Sequence, residues 1–175
     1  PGEGGIGIIR ISGENSGIVA SKLFKCAKKD LTVENFESHK VVYGKIVDEK
    51  GNVIDEALCI AMWAPNSYTK ENVVEIQSHG GALVVRRILE LALQNGARMA
   101  EPGEFTKRAF LNGRIDLSEA EAVMDVISSK NDMALKSSVG QLRGKVSEKV
   151  KQLRSDIIYE IAFIESALDD PEHIS

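Results

Sequence analysis

The sequence has few aromatic residues, no excess of positive charge and no long apolar run. Phe, Trp and Tyr make up 5% of the 175 residues, which argues against a nucleic-acid-binding surface built on stacked aromatic rings. The 22 lysines and arginines are outnumbered by 26 aspartates and glutamates, giving a net charge of −4. Binding of a phosphate backbone by bulk charge alone is therefore not expected. No apolar run approaches the roughly 18 residues of a membrane span, and no signal segment opens the chain, so we expect a cytoplasmic protein that does not enter a membrane.

Cysteines and histidines are also scarce. The two cysteines, Cys26 and Cys59, are too few and too far apart for a disulfide framework or a zinc site. Both lie in apolar surroundings, so we expect buried free thiols. The three histidines form no pattern typical of metal ligands. The sequence therefore predicts no metal site.

Short apolar runs separated by turn residues fill the first two thirds of the chain. They predict strands at 6–11, 40–47, 53–62, 73–77 and 97–100, and helices at about 16–25, 82–96 and 102–113. The turn DEKGN joins the second and third of these strands into a hairpin. This part of the chain is therefore predicted to have an α+β fold.

From Asp116 onward the pattern indicates helix alone. Ser118 and Glu121 fit a capping box at the start of a helix. Apolar residues then recur three or four positions apart from Leu135 to Leu168, the spacing of one helix face. Because a single long helix is not stable by itself, we expect this apolar stripe to pack on further helices of a longer protein or on a second chain.

Two charged residues stand inside apolar strand runs, Arg10 in IIRIS and Glu75 in VVEIQ. A buried charge without a partner is costly. If the two strands are neighbours, a salt bridge explains both residues; if each side chain faces a cleft, a polar ligand does; and one of them can face water at a strand edge. A carboxylate suits a ligand with adjacent N–H donors, such as a pterin or purine edge, and a guanidinium suits a carboxylate or carbonyl.

Two glycine motifs carry weaker information. GEGGIG at 2–7 has the spacing of a dinucleotide-binding fingerprint, but it precedes a strand instead of linking a strand to a helix. Nucleotide binding is therefore not predicted there. SHGG at 78–81 lies between a strand and a helix, where backbone N–H groups could hold an anion. A tight turn that needs glycine explains it equally well.

Three longer segments carry a resemblance: GEGGIGIIRISG, APNSYTKENVVEIQSHGG and EPGEFTKRAFLNGRIDLSEAEAVMDVI. In the same order and spacing they resemble the N-terminal part of the MnmE (TrmE) family of tRNA modification GTPases. The resemblance implies a mixed-sheet domain at 1–115, similar to the folate-binding domain of aminomethyltransferases, which binds a 5-formyltetrahydrofolate-type one-carbon donor and forms a homodimer. Residues 116–175 resemble the first part of that family's helical domain.

The same resemblance implies an activity for the whole protein. With the flavoprotein MnmG, in a heterotetramer, the family adds an aminomethyl or carboxymethylaminomethyl group to carbon 5 of the wobble uridine of tRNA. Its GTP-binding domain, which uses GTP with Mg²⁺ and K⁺, and its C-terminal cysteine motif have no counterpart in this sequence. We therefore expect this chain alone to be inactive as a GTPase and to carry no catalytic residue.

Residue by residue, the resemblance places folate contacts on Arg10, Glu75 and Arg114, and has Gly80 and Gly81 let the backbone approach the ligand. We expect Glu75 to accept hydrogen bonds from the pterin N–H groups. Arg10 and Arg114 are then left to hold carbonyl or glutamate oxygens.

The sequence departs from the family pattern SYTGED in one loop. Lys70 stands where glycine is usual, and Asn72 where aspartate is usual. The departures affect the geometry of this loop and none of the expected folate contacts.

Two other functions remain open from the sequence. A stand-alone folate-dependent aminomethyltransferase needs a catalytic carboxylate and a second half of the fold, for which 175 residues leave little room. A non-catalytic dimerisation scaffold needs no ligand. Ligand binding separates the folate-binding interpretation from the scaffold.

Overall fold

The computed structural model describes residues 4–28, 30–128 and 145–169. The chain divides into two compact units, 1–114 and 115–175. The first unit contains strands β1 (Ile6–Ser12), β2 (Phe24–Cys26), β3 (Val41–Val47), β4 (Val53–Met62) and β5 (Val73–His79), and helices α1 (Ser16–Leu23), α2 (Ala82–Gln94) and α3 (Glu104–Leu111). The second contains α4 (Leu117–Ser128) and α5 (Lys145–Asp169).

The five strands form one sheet in the order β1-β5-β4-β3-β2, and every neighbouring pair is antiparallel. The α+β class is confirmed, whereas the expected mixed sheet is wrong for the described residues. β1 and β2 run in the same direction, but they lie at opposite edges because β3, β4 and β5 are inserted between them. The helix that connects β1 to β2 therefore creates no parallel pair.

The local predictions hold better than the sheet order. The hairpin between β3 and β4 is confirmed, and the Asp48 carboxylate closes its turn by accepting hydrogen bonds from the backbone N–H groups of Lys50 and Asn52 at 2.9 and 2.8 Å. The first helix ends at Leu23, before its predicted end, because residues 24–26 pair with β3 as the short strand β2. The strand predicted at 97–100 does not form.

The hydrophobic core lies on one face of the sheet. Ile9 and Ile76, which face each other on β1 and β5, are buried there beneath α1 and α2. Residues that alternate with them point to the other side, where Ile8 is 52% exposed. We call this side of the sheet, which is only partly covered, the open face. Its exposed apolar side chains are Ile6, Ile8, Val41, Tyr43 and Leu58.

Both cysteines are free thiols, as the sequence predicts. Cys59 on β4 is fully buried in the core, and this burial raises the pKa of its thiol to about 12. Cys26 is only partly buried, and its thiol donates a hydrogen bond to the Leu31 carbonyl at 3.1 Å.

The second unit begins with a capping box two residues before the predicted one. The Asp116 carboxylate accepts a hydrogen bond from the Glu119 backbone N–H at 2.8 Å, and the Glu119 carboxylate accepts one from the Asp116 N–H at 2.9 Å. Asp116, not Ser118, is therefore the residue that caps α4. The two candidate motifs overlap, and the sequence alone does not choose between them.

Along α5 the predicted apolar stripe is present and uncovered. Leu153, Ile157, Ile161 and Ile164 are all at least half exposed. The beginning of the stripe, at 135–144, lies outside the described residues. In the described part of the chain, no helix combines the length and the apolar composition that a membrane crossing requires.

Candidate functional site

The candidate site is built around Arg10 and Glu75, which lie directly opposite each other on β1 and β5. Two nitrogens of the Arg10 guanidinium contact the same carboxylate oxygen, Oε1 of Glu75. Nε donates a hydrogen bond to it at 2.7 Å, and Nη2 lies 2.6 Å from it. Of the explanations open from the sequence, the structure has the cross-strand salt bridge. Both side chains lie on the open face, where Arg10 is 44% and Glu75 13% exposed.

The ion pair leaves one acceptor unused. Oε2 of Glu75 has no hydrogen-bond partner among the residues that the structure describes, whereas Oε1 takes both contacts from Arg10. The Glu75 side chain is 13% exposed, so Oε2 is reached by solvent but little water competes with a donor that approaches it. The pair therefore offers an incoming ligand a fixed acceptor beside a partly exposed guanidinium.

Phe105, in the first turn of α3, completes the surroundings of Arg10. Its ring centroid lies 5.8 Å from Arg10 Cζ, a cation–π contact. Phe105 stands in the segment EPGEFTKRAFLNG, but the sequence alone does not single it out as a site residue. The signal was an aromatic residue at the start of a short helix in a chain with few aromatics.

A cavity of about 420 Å³ runs along the free edge of β1. Ile9, Ile11, Leu89 and Ala92 contribute apolar walls from β1 and α2. Its charged and aromatic rim is formed by Arg10, Glu14, Arg98, Glu104, Phe105 and Arg108. The lining therefore combines apolar side chains with charged and polar ones, a combination typical of small-molecule sites.

The charges on this rim are largely used within the protein. Arg108 lies between two carboxylates, with Nη1 2.9 Å from Glu71 Oε1 and Nη2 2.9 Å from Glu104 Oε1. Arg98 forms a bidentate contact with Glu104, in which Nη1 donates to Oε2 and Nη2 donates to Oε1. Glu71 also accepts a hydrogen bond from Ser12 at 2.8 Å. The network fixes α3 and the loop before β5 against β1. Glu104 and Arg108 are an i,i+4 pair on α3, whereas Glu71 and Ser12 are distant from them in the chain, so the sequence alone does not reveal the whole network.

This network predicts a pH effect on stability. The Arg98 guanidinium, the Glu101 backbone N–H and the Arg108 guanidinium together hold the pKa of Glu104 well below its usual range. Because the pKa is lower in the folded than in the unfolded chain, the stabilisation is fully present above the unfolded value of about 4.3. It is lost as the pH falls through the lower folded value. The stability advantage of the wild type over Glu104→Gln, measured by urea unfolding, should shrink as the pH is lowered from about 6 to about 3.

Glu49→Gln is the matched control for this series, since Glu49 is exposed and has no ion pair or hydrogen bond in the described structure. Its small effect on the free energy of unfolding should stay nearly constant over the same pH range. An advantage over Glu104→Gln that does not change with pH contradicts the prediction.

Arg114 does not line the cavity at β1. It lies in a second, open cleft of about 470 Å³, together with His39 and Lys70. Contacts nevertheless connect the two places: Ser12 on β1 is 2.7 Å from Thr69, hydroxyl to hydroxyl, and Asn112 donates to the Thr69 carbonyl at 2.7 Å. Lys70, at the position where the sequence departs from glycine, has a left-handed backbone with φ 58°.

Gly80 and Gly81 line neither cavity. A side chain at Gly80 would overlap the carbonyl oxygen of Gly4, and the Gly80 N–H donates to the Gly5 carbonyl at 3.2 Å. Gly80 therefore has a structural reason to be glycine, the close approach of the segment before β1. Gly81 immediately precedes α2, and a Cβ there would meet nothing within 4 Å.

Metal binding has no support from side-chain clustering. Within 4–28, 30–128 and 145–169, no three His, Cys, Asp or Glu residues lie together in a way that could hold a metal ion. His79 pairs with a single carboxylate, since Asp55 lies 2.8 Å from its Nδ1.

Comparison with known proteins gives matches over the whole chain. The sequence model of the family described as GTP-binding protein TrmE N-terminus matches residues 1–114, and that of the MnmE helical domain matches residues 117–175. Proteins named tRNA modification GTPase MnmE from Lachnoclostridium phytofermentans, Acetivibrio thermocellus and Clostridioides difficile are 56%, 53% and 52% identical to it. Each alignment covers 98% of this chain and 37% of the relative, so the chain spans little more than a third of the length of these proteins.

Proposed function

Since the chain belongs to the MnmE (TrmE) family of tRNA modification GTPases, we propose that residues 1–115 bind a 5-formyltetrahydrofolate-type one-carbon folate and form a homodimer. Residues 116–175 are then the first part of the helical domain. In this proposal Arg10, Glu75 and Arg114 contact the folate. Gly80 and Gly81 give the backbone room near it.

The observation that carries the proposal is the free Oε2 of Glu75 on the open face. The pyrimidine edge of a pterin presents two neighbouring N–H donors, and a carboxylate is their natural acceptor. Arg10 holds the carboxylate through Oε1 and leaves Oε2 for the ligand. The exposed part of the Arg10 guanidinium remains able to donate to a carbonyl oxygen of the same ligand.

The open face also supports the homodimer. Ile6, Ile8, Tyr43 and Leu58 expose apolar surface on the same side of the sheet as Arg10. Contiguous exposed apolar surface of this kind is typical of protein interaction sites. A second copy of the chain that covers it would also shield the Arg10–Glu75 pair from water and strengthen its contacts with a ligand.

For the whole protein we propose the activity of the family. Together with the flavoprotein MnmG, in the cytoplasm, it adds an aminomethyl or carboxymethylaminomethyl group to carbon 5 of the tRNA wobble uridine. GTP, Mg²⁺ and K⁺ act in a separate GTP-binding domain. The folate bound by residues 1–115 supplies the one-carbon unit.

The test is a calorimetric titration of 5-formyltetrahydrofolate into this chain, with Glu75→Gln beside it. Glutamine keeps the size of the side chain but removes its charge and one acceptor. Because a hydrogen bond to a charged group is worth about 1.5–3 kcal/mol, the Kd should rise by about tenfold or more. The measurement also counts ligands per chain, which shows whether one site forms in each subunit.

Glu49→Gln, the same exchange at an exposed turn position, should bind as the wild type does. GTP should give no heat of binding. If the wild type does not bind the folate, or if Glu75→Gln binds it equally well, the folate site is not here and a dimerisation scaffold becomes the better description. Turnover of an aminomethyl donor by this chain alone would instead indicate a stand-alone transferase.

A further inference from the structure

The contact between Arg10 and Glu75 departs from the usual form of a guanidinium–carboxylate pair. Such pairs are frequently bidentate, with two parallel N–H···O bonds that use both carboxylate oxygens. Arg98 and Glu104 form a pair of this kind. In the Arg10 pair, however, Nε and Nη2 both lie against Oε1 of Glu75, and Oε2 has no hydrogen-bond partner among the described residues. A neighbouring group is needed to explain why Arg10 stays on one oxygen.

The ring of Phe105 is that neighbouring group. Arg10 lies over the ring, with Cζ 5.8 Å from its centroid, which is within the range of a cation–π contact. In the part of the chain that the structure describes, Arg10 has such a ring contact and Arg98 does not. The arginine that uses a single carboxylate oxygen is therefore the one that an aromatic ring holds from another side.

The residues on either side of Phe105 fix the ring in its place. Glu104, immediately before it, accepts hydrogen bonds from two arginines. Thr106, immediately after it, is buried, and its hydroxyl lies 3.1 Å from the hydroxyl of Tyr68. Phe105 itself is partly buried. Because α3 is anchored at both neighbours, the ring does not follow a movement of the Arg10 guanidinium, and such a movement loses the ring contact.

We propose that Phe105 is a positioning residue of the folate site, which holds the Arg10 guanidinium against Oε1 of Glu75 and thereby keeps Oε2 open to the ligand. The inference rests on the proposed folate site at Glu75. Without the ring, Nη2 is free to move from Oε1 to Oε2 and complete the bidentate pair. That pair occupies the acceptor that the pterin N–H groups need. Phe105 thus acts on the affinity for the folate through Arg10.

Direct stacking of Phe105 on the pterin is the less favoured role. Arg10 already lies over the ring, so a pterin on the same face of the ring would have to displace the guanidinium. Displacement would also break the contacts of Arg10 with Glu75, the carboxylate to which the same ligand is proposed to bind. The two roles predict different results once the guanidinium is removed.

The first experiment is a calorimetric titration of 5-formyltetrahydrofolate into the wild type, Phe105→Leu and Phe105→Tyr. Leucine removes the ring, and we expect the Kd to rise about two- to fivefold, the bias that a partly exposed cation–π contact gives. Tyrosine keeps the ring face and should bind as the wild type does. Phe110→Leu is the matched control, the same exchange at an exposed position of the same helix, and should leave the Kd unchanged.

The second experiment repeats the exchange in an Arg10→Met background, where the apolar stem remains and the guanidinium is gone. Phe105→Leu should then change the Kd by less than about 1.5-fold, because the two residues act as one unit. An undiminished loss in this background shows that Phe105 contacts the ligand directly, and it overturns the inference.

Two further outcomes also overturn the inference: Phe105→Leu that binds as the wild type does, and Phe105→Tyr that binds as weakly as Phe105→Leu. In either case, wild-type binding that is weakened by Glu75→Gln leaves the proposed function intact. A wild type that does not bind the folate overturns the proposed function together with the role of Phe105.

Discussion

Replacement of Ile76 by alanine is expected to lower the free energy of unfolding of the first unit by about 2–5 kcal/mol. Ile76 lies on β5, between β1 and β4, and its side chain is 0% exposed. It faces Ile9 on one neighbouring strand and Cys59 on the other, both in the core beneath α1 and α2. The exchange removes buried apolar atoms and leaves a cavity that the surrounding strands cannot close without shifting.

Urea unfolding followed by circular dichroism measures this effect, and Ile8→Ala is its matched control. Ile8 stands on the neighbouring strand but on the open face, half exposed, so the same loss of atoms should cost little in the isolated chain. A comparable loss for both variants contradicts a sheet with one covered and one open face. A loss at Ile8 that appears only as protein concentration rises would instead indicate that a second copy covers the open face.

The strands and helices of the first unit could largely be predicted from local sequence. Short apolar runs rich in β-branched residues mark β1 and β5, and the turn composition marks the β3–β4 hairpin. Sheet order could not be predicted in this way, since it depends on which distant strands pair. β2 has only three residues, too few to show a period. The helix predicted at 16–25 therefore runs over its first two residues. The missed capping residue Asp116 reflects two overlapping motifs that begin two residues apart, at Asp116 and at Ser118.

The residues of the candidate site could likewise be predicted only in part from the sequence. Arg10 and Glu75 could be found because a charge in an apolar strand is conspicuous, and their pairing followed once the two strands proved to be neighbours. The contact of Phe105 with Arg10 and the ion pair of Arg108 with Glu71 could not be found, because they depend on how α3 packs against β1 and the loop before β5. Only the Glu104–Arg108 pair, four residues apart on α3, has a local spacing. Chain separations of dozens of residues leave no local pattern.

Gly80→Ala is the second substitution with a large expected effect. The new Cβ would overlap the Gly4 carbonyl oxygen and lie 2.7 Å from the Ile6 backbone nitrogen. Both are backbone atoms, so no flexible side chain can move aside, and the start of β1 must shift away from β5. The hydrogen bond from the Gly80 N–H to the Gly5 carbonyl is strained in the same movement. We expect a loss of about 1–3 kcal/mol in the free energy of unfolding.

Gly81→Ala tests whether Gly81 is needed for ligand binding, in contrast to Gly80, which is needed for the fold. Gly81 has a φ of −62°, which alanine adopts freely, and its Cβ meets nothing within 4 Å, so the free energy of unfolding should change by no more than about 0.5 kcal/mol. If the backbone at Gly81 approaches the folate as proposed, the same variant should bind 5-formyltetrahydrofolate more weakly while it remains as stable as the wild type. Unchanged affinity would remove Gly81 from the site. A Gly80→Ala protein as stable as the wild type would show that the segment before β1 does not pack against Gly80, since no smaller movement relieves that overlap.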